Sequence, residues 1–150
     1  MEGNLKLLHL LCACFFLGNV VVSGVWALMA ERTRNHAVIE FSNRMVLITD
    51  VLFTFLGSLG LVWSGYQMSS NLGLAEAHPW IHWSNILVSI SGLIWLFILV
   101  PIQLKQRKLL KASDVIGDDY WRLSRIWQIA GACATLLLLP ILYFMVRKSI

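Results

Sequence analysis

Four apolar blocks, each about as long as a membrane is thick, constrain this chain more than anything else in it. They cover residues 7–30, 46–69, 82–104 and 129–146. Each reaches the ~20 residues that a helical crossing of the hydrocarbon core requires. A soluble domain of this length needs far more charged surface than the 13% present against 58% hydrophobic residues. Mean hydropathy is +0.72. The expected fold is all-α, a polytopic membrane protein. It is a four-transmembrane-helix bundle forming a single domain over 1–150.

The first block is expected to stay in the mature protein. Glu2 offsets Lys6 ahead of it, and its apolar run exceeds the roughly 7–15 residues of a leader's core. Orientation follows from lysine and arginine placement. Arg32, Arg34, Arg44, Lys105, Arg107, Lys108, Lys111, Arg122 and Arg125 fall on one side; Lys6, Arg147 and Lys148 fall on the other. The richer side faces the cytoplasm, so both termini are expected outside, in a bacterial inner membrane. The net charge of +4 is then a topology signal. It gives no support to nucleic acid as a partner. The expected partners are the lipid bilayer and another membrane protein or a second copy.

The connections carry local signals. Residues 31–44 read as a polar loop with His36 solvated in it. In "SSNLGLAEAHPW", His78 stands just outside a helix whose first turn holds Pro79, and Trp80 and Trp83 suit an interfacial belt. The third helix should run past Pro101 into its lysines. From Asp118 onward, Tyr120, Leu123 and Trp127 form an amphipathic lead-in to the fourth helix, in which Pro140 is expected to cause a kink. Cys12 and Cys14 point roughly 200° apart on a helix and cannot hold one ion together.

In lipid, polar and small residues mark the faces where helices meet. "LKLLHLLCACFFLG" carries one such residue, His9, in line with Phe16, Val20, Ser23 and Ala27; Asn19 lies elsewhere around the helix. The second helix stacks Asp50, Thr54, Gly57 and Ser64, and the third stacks His82, Asn85, Ser89 and Gly92. The expected polar interior is therefore Asn19, Ser23, Asp50, Thr54, Asn85 and Ser89. His9 and His82 each lie about 5–8 Å past a helix start on the same side. At matched depth they are candidate axial ligands of a b-type haem, or, with His78, of a metal ion. The competing expectation is that His9 only hydrogen-bonds between helices and that "WIHW" is interfacial anchoring. Asp50, near the cytoplasmic end of its span, needs a partner in Arg44 or Arg125, with Glu31 at the same level, or else it relays protons.

"LKLLHLLCACFFLGN", "ALMAERTRN", "TDVLFT" and "DDYWRLSRIWQIAGACATLLLLPILYFMVRKS" together resemble the bacterial integral membrane proteins of domain of unknown function family 2269. That resemblance implies four transmembrane helices and no particular reaction. Lys6, His9 and Gly18 are more distantly similar to the first helix of HemJ-type protoporphyrinogen oxidases and of CopD-type copper-resistance proteins. By that likeness His9 would be a haem ligand. The chain lacks the tyrosine–leucine–proline–arginine segment that follows the glycine there, and an intramembrane lysine in the third helix. Three functions stay open: a redox protein binding haem or metal between helices 1 and 3, a non-catalytic accessory or assembly subunit, and, ranked below these, a proton or small-solute pathway.

Overall fold

A computed structural model describes residues 2–71 and 79–147. Four long helices account for nearly all of them: α1 (Glu2–Arg32), α2 (His36–Ser70), α3 (Trp80–Ala112) and α4 (Asp118–Arg147). All four are long and apolar enough to cross a membrane. With 30 to 35 residues each, they run about 45–52 Å, well beyond the ~30 Å hydrocarbon core. The surplus in α2, α3 and α4 lies at one end, where the connections 33–35 and 113–117 and most of the lysines and arginines sit. We call this the basic end. The opposite, terminal end is where α1 begins and α4 finishes.

The first connection is far shorter than its polar sequence suggests. Chain reversal takes only three residues, with Arg34 in the left-handed region at φ 54°. Asn35 then caps α2, its Oδ1 accepting from the backbone N–H of Ala37 at 3.0 Å and of Val38 at 3.4 Å. Asparagine is among the best residues for that role. Beyond it Ile39, Ser42 and Val46 turn inward at helical spacing. His36 is half-buried rather than solvated, and its Nε2 donates to the Leu110 carbonyl at 2.9 Å. That carbonyl lies in the last turn of α3, where the helix itself supplies no donor.

Two helices carry π-helical turns inside their spans: Asp50–Phe55 in α2 and Trp95–Leu99 in α3. The second lies just ahead of Pro101, whose missing N–H leaves a carbonyl one turn earlier without its α-helical donor. A widened turn accommodates that defect. In α4 the helix is interrupted at Leu137, three residues before Pro140, in line with the expected kink.

Buried side chains concentrate at the basic end, where all four helices pack. One cluster joins Ala30, Ile39, Leu110 and Tyr120; the next joins Val46, Leu99, Ile102 and Trp127. Toward the terminal end the described residues form two hairpins. There α1 packs on α2 and the first half of α3 packs on α4, and among the described residues neither pair packs on the other. The first hairpin is held by close approach. Cβ atoms added at Gly57, Gly60 or Gly65 would meet Phe16, Cys12 or His9 of α1. In the second, Ser91 Oγ donates to the Ala134 carbonyl at 3.1 Å.

Candidate functional site

The strongest polar constellation surrounds Asp50. It opens the π turn of α2 and is buried at 6% exposure. Thr54, four residues on, lies on the same helix face, and its Oγ1 donates to Asp50 Oδ1 at 3.1 Å. From α1, Asn19 Nδ2 reaches Asp50 Oδ1 at 3.0 Å and Thr54 Oγ1 at 2.9 Å. From α3, Gln103 Nε2 donates to Asp50 Oδ2 at 2.8 Å. The Trp95 indole lies beside the same carboxylate without completing a hydrogen bond. The partners Asn19, Thr54 and Gln103 are all neutral, in place of the arginine expected from sequence. Arg44 and Arg125 are not among Asp50's partners.

A second carboxylate lies nearer the basic end. Glu31, the penultimate residue of α1, accepts from Ser124 Oγ, from Tyr120 Oη at 3.4 Å and from Gln128 Nε2 at 2.6 Å. All three donors project from the first turns of α4, so the amphipathic lead-in read from sequence has a polar face aimed at Glu31. Between Glu31 and Gln103 lies a cavity of about 20 Å³, lined also by Ser42, Asn43 and Trp127.

His9 answers to α2 alone. It is buried at 7% exposure, with Nδ1 3.0 Å from Ser64 Oγ. The Ser64 hydroxyl also lies within donating distance of the Gly60 carbonyl at 2.6 Å and the Leu61 carbonyl at 3.2 Å. His9 Nδ1 and the Ser64 hydroxyl thus form one polar contact between α1 and α2 inside the span. Gly65 makes room for the ring, since a Cβ there would stand 3.2 Å from its Cε1.

The chain matches the family model of predicted integral membrane proteins DUF2269 over residues 4–149. It belongs to that family. No curated protein and no solved structure matches it.

In this DUF2269 protein several residues singled out in the sequence converge. Asn19, Asp50 and Thr54 form one cluster, and Ser23 is buried nearby with Oγ on its own helix's Val20 carbonyl at 3.3 Å. The third stripe behaves differently. His82, Asn85 and Ser89 are all exposed, and the terminal half of α3 does not pack on α1. The two imidazoles are thus not brought together, and no group of three His, Cys, Asp or Glu side chains able to hold a metal occurs among the described residues. His78 lies outside the described residues. The inward face of α3 is instead Leu99, Ile102, Gln103, Gln106 and Leu110. Neither glutamine stood out in the sequence, where Gln103 closes the apolar block 82–104 and Gln106 lies among lysines and arginines. Their spacing with the aliphatics, in steps of three and four, is the signal that marks them as inward.

Proposed function

We propose that this protein is a proton pathway of a bacterial cytoplasmic membrane, with Asp50 as the group that takes up and releases the proton. One observation carries the reading. Asp50 is a carboxylate buried within a span, held only by neutral donors at a π turn, with a cavity on its basic side. Ionisable groups inside spans are retained for function far more often than for packing, and π turns recur at functional sites. On the terminal side, the Phe55 and Trp95 rings stack at 6.4 Å between the two hairpins, one turn beyond Asp50. On the basic side, Gln103 stands between Asp50 and the cavity that Glu31 borders. The nine lysines and arginines at the basic end support a cytoplasmic location for it, with both termini outside.

The test is proton flux into liposomes holding the purified protein and a pH-sensitive dye, driven by a potassium diffusion potential. Wild type conducts, and Asp50→Asn, which keeps nearly the same shape, abolishes the flux without loss of helicity. Equal flux in the two proteins, or none in wild type, refutes the reading.

A second reading rests on His9 as a buried imidazole within a span. With Nδ1 against Ser64 Oγ, the other ring nitrogen would be the ligand atom for haem or a metal. A reduced-minus-oxidised absorption spectrum of wild type and His9→Ala decides it. The exposed polar face of His82, Asn85 and Ser89 favours a protein neighbour beside α3, a second copy or another membrane protein. Co-purification after mild solubilisation tests that.

A further inference from the structure

Four buried polar atoms among the described residues lack a hydrogen-bond partner and belong to side chains lining one cavity: Ser42 Oγ, Asn43 Oδ1, Gln103 Oε1 and Trp127 Nε1. Unpartnered buried groups cost roughly 1–3 kcal/mol each, and native proteins rarely leave several together. Gln103 is 2% exposed; its Nε2 donates to Asp50 Oδ2 at 2.8 Å, which leaves Oε1 as the unpartnered end of a side chain that lines the cavity. The cavity holds about 20 Å³, against the ~10–15 Å³ that one water needs.

The chemistry of the four atoms matches one water molecule. Two amide oxygens require donors, the indole N–H requires an acceptor, and a serine hydroxyl can serve as either. A water donates twice and accepts twice. A bare cation would satisfy the oxygens but would face the indole proton head-on.

We propose that this cavity holds a single water that carries protons between Asp50 and Glu31, with the Gln103 side chain as its shutter. The proposal rests on Asp50 being the proton site. With Gln103 in place no proton passes, because an amide relays one only by becoming its unstable imidic-acid form. When Gln103 swings aside, the water meets Asp50. The Asp50 carboxyl gives its proton to the water oxygen as the water gives one of its own to the Glu31 carboxylate. Asp50 ends ionised, Glu31 ends neutral, and the water is unchanged. Glu31 is part-exposed at the basic end and completes exchange with bulk water.

Acid-minus-neutral infrared difference spectra of the full chain in lipid, recorded in ordinary and in oxygen-18 water, test this directly. The expected result is an O–H stretching band that moves to lower frequency in oxygen-18 water and is lost in Ala27→Val, which fills the cavity. Trp127→Phe, which removes the indole N–H, must shift that band in frequency even if Ala27→Val fails to fold. A wild-type spectrum with an Asp50 carboxyl band but no oxygen-18-sensitive band overturns the water and leaves Asp50 as the proton site. A band unchanged in both cavity variants places the water elsewhere and also overturns it. Absence of both bands overturns the proton reading itself.

Discussion

Gly60→Ala tests the packing that brings Asn19 of α1 onto Asp50 and Thr54 of α2. An added Cβ would stand 2.6 Å from Cys12 Sγ, whereas the next nearest atom, Cys12 Cβ, is 3.7 Å away. Ordinary contacts between such atoms lie at about 3.5–4.0 Å, so the helices or the thiol must yield by about 1 Å. Overpacking of this size costs about 1–3 kcal/mol. The thiol is the sole obstacle, so Cys12→Ala should rescue Gly60→Ala. Alone, Cys12→Ala should cost less than about 1 kcal/mol, since Cys12 is only half-buried. The double-mutant cycle therefore predicts a coupling of about 1–3 kcal/mol between residues 48 positions apart in the chain. The assay is reversible unfolding in mixed micelles, followed by tryptophan fluorescence. The helix-propensity gain of about 0.5–1 kcal/mol for alanine over glycine cancels in the cycle, so a double mutant no better than the sum of its parts would refute the close approach of α1 and α2.

Other expectations follow from single contacts. Asn35→Ala removes the cap of α2 and should cost about 1 kcal/mol in the same unfolding assay, with Asn35→Asp close to wild type. Gln103→Leu leaves Asp50 Oδ2 without its donor and should cost about 1–3 kcal/mol; a change within a few tenths would mean that this hydrogen bond contributes nothing. Topology is read by thiol labelling in intact cells, with Cys12, Cys14 and Cys133 replaced. Asn4→Cys should label with an impermeant reagent and the exposed Val115→Cys only after lysis; the reverse pattern would invert the molecule.

The spans and the polar line of α2 were legible in the sequence because membrane helices must be long, and polar groups inside them are rare enough to stand out. Asp50, Thr54, Gly57 and Ser64 stand out in an oily segment, and all four meet α1 or one another. The stripe of α3 misled for a physical reason. Lipid is as apolar as a helix interface, so alternation in hydropathy does not tell the buried face from the lipid face. Asn85 and Ser89 turned out exposed, while Gln103 and Gln106, written among lysines, turned inward. His36 and Asn35 were hidden by a charged context that reads as a loop. The π turns left no sequence mark beyond Pro101, since in α2 no proline accompanies the widened turn.

The most direct test of the central claim is the carboxyl C=O stretch of Asp50 in acid-minus-neutral infrared difference spectra of the protein in lipid. The account predicts a protonated-carboxyl band that is present in wild type, absent in Asp50→Asn, and displaced in Gln103→Leu, where one of its donors is gone. A spectrum identical in wild type and Asp50→Asn would show that Asp50 does not exchange its proton, and the pathway would have to be abandoned.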